Sequence, residues 1–250
     1  MKINKHIIVM LAYNNHELTI KNLKHLILLG YGENILLFDN GSNPSFEKIS
    51  NELNIRYHRE KQNLFVNPAW NKIFEQENCK YLTLLNNDCF ILSQNYFEDV
   101  IEHMEKYGVG ISSCKNKNIL KLKKNGLQTI NHSIFNKEAQ PLKCNFHARR
   151  QGWLMTLNLE TYKTLDYKIP NYLKLWYGDD WIWSQFALNN LKMGVYKNRY
   201  SIHIKSSTIV SNNMQSIIDE DNQNLQSFGQ WYKKASPLIH IRTRIFSRYV

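Results

Sequence analysis

The sequence predicts an α/β fold with an open, mainly parallel sheet and helices on both of its faces. Short, continuous apolar runs alternate along the chain with segments that carry apolar residues at helical spacing. Continuous apolar runs are typical of strands buried on both faces, and strand–helix alternation is typical of parallel sheets. Polar clusters follow several of these runs, at the strand ends where ligands bind in such sheets.

The predicted elements follow this alternation through most of the chain. Residues 6–12 predict the first strand, and residues 17–29 predict a helix that ends at Gly30. Further strands are predicted at 34–40, 55–60, 81–87, 109–114, 152–158 and 195–208, and further helices at 45–53, 68–76, 95–107 and within 176–194, the last ending at Gly194. Residues 211–250 predict a last helix followed by a basic, apolar tail.

Composition restricts the class of protein. With 250 residues and 43% apolar content, the chain suits one large domain with a small appendage. The longest apolar runs are shorter than the ~20 residues of a membrane-spanning helix, so we expect a soluble, cytoplasmic protein. The four cysteines are far apart and form no Cys-x-x-Cys pair, which indicates reduced thiols. The net charge of +11 favours a polyanionic partner: nucleic acid, an anionic membrane surface or a phosphate-bearing substrate.

The first polar cluster, Asn86-Asn87-Asp88, interrupts an apolar stretch that resumes at Cys89. Alternation along a strand places Asn86 and Asp88 on one face and Asn87 on the other. A carboxylate such as Asp88 is a hard oxygen ligand that suits Mg²⁺ or Mn²⁺ shared with substrate phosphates. An Asx turn between a strand and a loop accounts for the same residues.

Asp39 closes the second predicted strand and is followed by Asn-Gly-Ser. A carboxylate in this position can accept hydrogen bonds from a nucleobase N–H or a ribose hydroxyl. Asp-Asn-Gly is equally suited to a type I turn, so both interpretations stay open.

Asp179 and Asp180 stand directly before a predicted helix. One of them is a natural N-cap, and the second could act as a general base whose ionised form the helix dipole favours. Several aromatic residues flank the pair and suit either stacking on a sugar or packing in a core: Trp176, Tyr177, Trp181 and Trp183. Farther on, His203 lies in a predicted strand, where a lone histidine is either structural or a metal ligand beside the phosphate-binding groups of residues 205–208.

Taken together, these segments resemble a glycosyltransferase of the GT-A fold, close in pattern to family 2, over about residues 6–208. The resemblance is carried, in order, by IIVMLAYNN, LLFDNGS, REKQNLFVNPAWN, YLTLLNNDCFI, GWLMTLN, YGDDWIW and HIKSST. It implies a Rossmann-like three-layer fold for nucleotide-diphospho-sugar transfer. It also implies a catalytic domain at 1–210 and a helical, basic extension at 211–250.

The resemblance also implies roles for individual residues. Asp88 and His203 would bind a divalent metal, Mn²⁺ or Mg²⁺, and Asp180, beside Asp179, would be the catalytic base of an inverting transfer. The nucleotide sugar would be bound by Ala12, Tyr13, Asn14, Asp39, Asn63, Asn71, Asn86 and Asn87. The wall around the donor sugar or acceptor would include Gly152, Trp153, Trp176 and Trp181.

The chain departs from the family pattern at three points. Asn86 replaces the first acidic residue of Asp-x-Asp, and Asp179 replaces the usual glutamate. The segment NLFVNPAWN lacks the glycine that usually follows its first asparagine, Asn63, so we expect the backbone there to take a different path.

The implied activity is transfer of a sugar from a nucleotide-diphosphate donor, with a UDP-sugar favoured, to a glycan or lipid-linked acceptor in surface glycan synthesis. The basic tail at 237–250 would place the protein at the inner face of an anionic membrane, and the basic segment 115–126 would be a lid. A first alternative is a sugar transferase that modifies DNA, which the net charge supports. A second alternative is a non-catalytic, basic nucleic-acid-binding module whose acidic clusters are only turns and caps.

Overall fold

A computed structural model of the chain describes residues 4–116, 144–145, 152–204 and 214–224. Within these ranges one nine-stranded sheet carries helices on both faces. Its strands are β1 (Asn4–Ala12), β2 (Ile35–Asp39), β3 (Arg56–Arg59), β4 (Cys79–Asn86), β5 (Cys89–Ile91), β6 (Val109–Asn116), β7 (Cys144–Asn145), β8 (Leu154–Asn158) and β9 (Lys192–His203). Its helices are α1 (His16–Leu28), α2 (Glu47–Glu52), α3 (Val66–Gln76), α4 (Tyr96–Tyr107), α5 (Leu159–Lys163) and α6 (Gly178–Leu188), and residues 215–224 are also helical.

The strand order is β3-β2-β1-β4-β8-β6-β9-β5, with β7 paired to β9. Strands β3, β2, β1 and β4 are parallel, as are β6 and β9, whereas β8 runs antiparallel between β4 and β6. In register, Ala12 lies beside Asp39 and Leu11 beside Asn86, so the carboxyl ends of β1, β2 and β4 meet at one edge. This order confirms the predicted α/β fold and brings together the polar residues that follow β1, β2 and β4.

The apolar core lies in two layers, one on each face of the sheet. Alternate residues of β1 supply both layers, because Ile7 and Val9 face one side while Ile8 and Met10 face the other. Helices α3, α5 and α6 cover the first face, and α1 and α4 cover the second. Both faces of the strands are therefore buried, which explains their continuous apolar runs.

The predicted helix before Gly194 is shorter than expected. It ends at Leu188, and Gly194 instead lies in β9, paired with Ser112 of β6. The chain leaves the helix through Asn190, which has a φ of 58°, and the N–H of Leu191 donates to the carbonyl of Phe186. Asparagine tolerates this left-handed conformation. The helix therefore ends at two adjacent asparagines, before the glycine at which the sequence predicted its end.

Three expectations fall wholly or partly outside the described residues. Residues 117–126 of the expected lid, the tail at 237–250 and the phosphate-binding groups at 205–208 are not among them. Within the described ranges, Cys79, Cys89 and Cys114 are buried and free, and none of the helices there has the length and apolar character needed to cross a membrane.

Candidate functional site

A cavity of about 520 Å³ opens at the carboxyl ends of β1, β2 and β4. The residues that line it come from strand ends, from the start of α3, from the loop before α6 and from residue 214. Eleven of the sequence-predicted site residues are among them: Tyr13, Asn63, Asn86, Asn87, Asp88, Gly152, Trp153, Trp176, Asp179, Asp180 and His203.

Five of the predicted residues are absent from the cavity lining. Asn71 is one, because its amide group bonds the backbone of Ile169 through both of its ends, at 2.8 and 2.9 Å. Trp181 is only 7% exposed, packs in the core and donates its indole N–H to the carbonyl of Asp166. These two side chains brace the fold and lie outside the cavity lining, unlike most of the other residues expected near the sugar nucleotide and in the sugar wall.

The other three residues outside the lining lie at the turns after β1 and β2. The carboxylate of Asp39 is fully buried and accepts hydrogen bonds from the N–H groups of Ser42 and Phe46 and from the hydroxyl of Tyr57. The pKa of Tyr57 is raised to about 12, mainly because the hydroxyl is buried and also because it donates this hydrogen bond to Asp39. Asn14 links the two turns by bonds to Ser42 and Asn43, and Ala12 is buried beside Asp39 in the sheet. Asp39 thus holds the turn together, as the turn interpretation expected.

The Asp88 carboxylate lies beside the imidazole of His203, with 3.2 Å between Asp88 Oδ1 and His203 Nε2. The antiparallel β5–β9 ladder creates this pair, because Cys89 is in register with His203 and the N–H of Ile204 donates to the carbonyl of Asp88. The indole of Trp153 stacks on the imidazole, with centroids 4.9 Å apart and planes 14° apart. The ring of His203 is therefore contacted by the Asp88 carboxylate at Nε2 and by the indole of Trp153 on one face.

The donor chemistry of this pair fits a divalent metal. A carboxylate oxygen and an imidazole nitrogen are ligands that Mn²⁺ accepts, and Mg²⁺ commonly takes one or two carboxylates plus substrate phosphates. In the part of the chain that the structure describes, no cluster of three or more His, Cys, Asp or Glu side chains could hold a metal ion. Asp88 and His203 therefore offer two ligand atoms, and a divalent metal held by them would need its remaining ligands from substrate oxygens or water.

Asn22 of α1, which sequence reasoning missed, holds the turn that carries Asp88. Its side-chain N–H₂ donates to the carbonyls of Asn87 at 3.0 Å and Cys89 at 2.9 Å. The amide of Asn87 in turn donates to the hydroxyl of Thr19 on the same helix, at 2.9 Å. The side chain of Asn87 is thereby bonded to α1. Because β4 ends at Asn86, Asn87 and Asp88 lie in a turn rather than on alternate faces of a strand, and all three residues line the cavity.

Asn40 organises the next segment of the wall. Its amide donates to Asn63 Oδ1 and to the carbonyl of Phe65, and its own oxygen accepts from the N–H of Leu64. Gly41 has to be a glycine here, because a Cβ on it would lie 2.5 Å from the backbone of Gln62. The sequence placed Asn40 only in the turn after Asp39. Its hydrogen bonds to residues 63–65 show that it holds this part of the cavity wall.

Phe65 stands two residues after Asn63, in the segment where the family's glycine is missing. Its backbone has φ 65° and ψ −176°, a combination that is almost confined to glycine and costs a larger residue about 1–3 kcal/mol. The backbone therefore has a conformation that suits glycine although a phenylalanine occupies it.

Asp179 and Asp180 lie in the first turn of α6, after the N-cap residue Tyr177. Neither aspartate is the N-cap itself, which corrects the alternative that the sequence left open. The positive end of the helix dipole favours the ionised carboxylates. A Cβ on Gly152 would lie 2.8 Å from Asp179 Oδ2, so a larger residue at position 152 would push the Asp179 carboxylate aside.

Two further polar residues hold the loop before α6. Asn67, at the start of α3, donates its side-chain N–H to the carbonyl of Trp176 at 2.8 Å and packs against Gly178. Asp221, fully buried in the helix at 215–224, accepts the backbone N–H groups of Lys174, Leu175 and Trp176 at 2.7–2.8 Å. Their partners are backbone groups, which leave no sequence signal.

Comparisons with known proteins agree with this geometry. A family model described as glycosyl transferase family 2 matches residues 7–169, whereas no curated protein matches the chain. Three similar solved structures are Staphylococcus aureus TarS (18% identity, TM-score 0.54), the mannosyltransferase PcManGT of Pyrobaculum calidifontis with GDP-Man and Mn²⁺ (9%, 0.60) and GalNAc-T7 with UDP, GalNAc and Mn²⁺ (12%, 0.59).

These matches cover 86%, 83% and 80% of the present chain, which spans 65%, 59% and 43% of the three structures. At such identities the likeness concerns the fold alone, and it confirms the predicted three-layer GT-A architecture.

Proposed function

The chain belongs to glycosyl transferase family 2, and we propose that it moves a sugar from a nucleotide-diphosphate donor to an acceptor hydroxyl, with inversion and with a divalent metal. One observation carries the proposal. The Asp88–His203 pair and the Asp179–Asp180 pair, which come from three separate segments of the sequence-predicted pattern, line the same cavity. Such a cavity offers a place for the leaving diphosphate and a place for a base.

Asp88 and His203 would hold the donor end. A bound Mn²⁺ or Mg²⁺ supplies positive charge that stabilises the diphosphate as the glycosidic bond breaks. Asp88 and His203 orient that charge, and the stack with Trp153 keeps the imidazole plane in place. Tyr13, Asn63 and Asn86 line the neighbouring wall, where the nucleoside would lie.

Asp180 would be the base, with Asp179 as the other member of the pair. The base takes the proton from the acceptor hydroxyl as its oxygen bonds to the anomeric carbon. Attack from the face opposite the leaving diphosphate inverts the configuration of that carbon. Asp179 is packed against Gly152, which favours Asp180 as the residue that meets the acceptor. Trp176, 41% exposed beside the cavity, offers an aromatic face for an acceptor sugar.

The donor and acceptor classes rest on the comparisons and on charge. A TarS structure contains UDP-GlcNAc, and the structures of PcManGT and GalNAc-T7 contain GDP-Man or UDP with Mn²⁺. We therefore favour a UDP-sugar donor, with a glycan or lipid-linked acceptor at an anionic membrane surface on the cytoplasmic side. Nucleic acid is the second acceptor class, favoured by the net charge of +11. Tight binding of duplex DNA that weakens steeply with added salt would support it.

The direct test is thermal stability of the full chain with UDP, GDP, UDP-GlcNAc and GDP-mannose, with and without Mn²⁺. A ligand that binds the native state raises its melting temperature by mass action. We expect a shift with one nucleotide that requires Mn²⁺ and disappears in Asp88→Ala. Glu17→Gln, an exposed carboxylate on α1, is the matched control and should keep the shift. Absence of a shift with every nucleotide would contradict the proposal.

A further inference from the structure

Phe65 has a backbone conformation that a glycine would adopt without cost. Its φ of 65° is enforced from both sides, because its N–H donates to Asn63 Oδ1 at 2.8 Å and its carbonyl accepts from Asn40 at 3.1 Å. The N–H of Leu64 also donates to Asn40. These bonds hold the strained residue in place. Strain that the surroundings enforce at the wall of a cavity is typical of functional positions.

The ring of Phe65 stands between the two ends of the cavity. Its backbone is bonded to Asn40 and Asn63, which belong to the nucleotide side. Its ring lies 5.9 Å from the ammonium of Lys174, in the loop that leads to Asp179 and Asp180. That ammonium is also paired with Glu220 at 2.8 Å, so the far side of the ring is covered. Phe65 is also among the residues that line the cavity.

We propose that Phe65 is a specificity-determining residue whose ring forms the apolar surface on which the transferred sugar of the donor packs. This inference rests on the proposed function, because it needs a nucleotide sugar in the cavity. The backbone bonds to Asn40 and Asn63 would form equally well with glycine, so the side chain is the part that distinguishes Phe65. A ring without polar atoms favours a sugar that presents C–H or methyl groups at this point, rather than hydroxyls.

The experiment compares Phe65→Gly, Phe65→Ala and Phe65→Leu with the unmodified chain, in the presence of Mn²⁺. The ligand is whichever of UDP-GlcNAc and GDP-mannose binds the unmodified chain more tightly. Calorimetry measures the affinity of each variant for this nucleotide sugar and for the corresponding nucleoside diphosphate, UDP or GDP. We expect diphosphate affinity to change less than about threefold in all variants. Affinity for the nucleotide sugar should fall at least about tenfold in the glycine and alanine variants, and less with leucine, since one lost apolar contact surface corresponds to roughly that factor.

Melting temperatures provide the second readout. Both the glycine and alanine variants lack the ring, but only glycine relieves the positive φ, so Phe65→Gly should melt about 2–4 °C above Phe65→Ala. Unchanged sugar-nucleotide affinity in both variants would overturn the proposal, as would an equal loss of affinity for the bare diphosphate. If the unmodified chain binds no nucleotide at all, the proposed function itself fails, and this result differs visibly from a failure confined to Phe65.

Discussion

The two halves of the cavity are built in different ways. The donor half lies at the ends of β1, β2 and β4, which the parallel ladders hold in register. The base half brings together Gly152, the loop at 174–178 and the start of α6, and its loop is held by single polar side chains such as Asn67 and Asp221. The sheet therefore enforces the first half, whereas a few hydrogen bonds enforce the second. Substitutions should separate donor binding from transfer.

The sharpest separation is expected at Asp180. Asp180→Asn keeps the size of the side chain but removes the base, so the rate of transfer should fall by about 10²–10⁴-fold. Metal-dependent binding of the nucleotide sugar should be preserved, because Asp88 and His203 are unchanged. Turnover and binding are measured on the same preparation, with Asp179→Asn as the matched variant. If Asp179→Asn abolishes transfer and Asp180→Asn does not, the assignment of the base is wrong.

The next variant tests the clamp of the base half, meaning the three hydrogen bonds that the backbone of residues 174–176 donates to the Asp221 carboxylate. Asp221→Ala leaves three backbone N–H groups without their acceptor, and we expect the free energy of unfolding to fall by about 2–4 kcal/mol. The loop that carries Trp176 would loosen, so transfer should weaken more than donor binding. Glu220→Gln is the control, because its exposed pair with Lys174 contributes at most about 1 kcal/mol. An equal effect of the two variants on unfolding would argue against the clamp.

His6 joins the strands of the two halves below the cavity. Its Nε2 is 2.9 Å from Thr83 Oγ1 of β4, which is 2.8 Å from Thr156 Oγ1 of β8. Burial lowers the pKa of His6 to about 3, from 6.5. The unfolded chain takes up this proton below pH 6.5 and the folded chain does not, so acid favours unfolding. Between about pH 6 and 4 the contribution of His6 to the free energy of unfolding should fall by about 1.4 kcal/mol for each pH unit. Above pH 6.5 this contribution is constant.

Denaturant unfolding as a function of pH, for the unmodified chain and for His6→Gln, isolates this effect. Glutamine does not titrate, so the difference in unfolding free energy between the two proteins should change with pH in that window. Carboxylates with lowered pKa, such as Glu105, titrate in both proteins and cancel. A difference that stays constant from pH 7 to 4 would show that folding does not shift the pKa of His6.

The smallest effect is expected in the donor half. Asn22→Ala removes two bonds to the turn of Asp88, and we expect a loss of about 1–2 kcal/mol in unfolding free energy. Metal-dependent nucleotide binding should weaken several-fold, because Asp88 is no longer held toward His203. Asn34→Ala is the control, since its amide bonds the carbonyl of His6 at the far end of β1. Similar nucleotide affinity in both variants would mean that the ladder alone positions Asp88.

Much of the fold, and the positions of the polar clusters, could be predicted from local patterns in the sequence. The strands from β1 to β4 and the helices between them lie within a few residues of the predicted positions, because local periodicity and buried apolar runs report local structure. The clusters at Asn86–Asp88 and Asp179–Asp180 were visible because polar residues at strand ends and helix starts stand out against apolar runs. Membership of glycosyl transferase family 2 agrees with this pattern.

The separation of function from scaffold needed the tertiary structure. Asn71 and Trp181 looked like ligand contacts but bond backbone carbonyls, while Asn22, Asn67 and Asp221 carried no signal and hold the cavity in shape. The pairing of Asp88 with His203 also arises only when β9 lies beside β5. A residue's type and local spacing determine what it can bond. Only the folded chain determines which distant backbone group or side chain lies within 3 Å of it, because such contacts join segments that no local pattern relates.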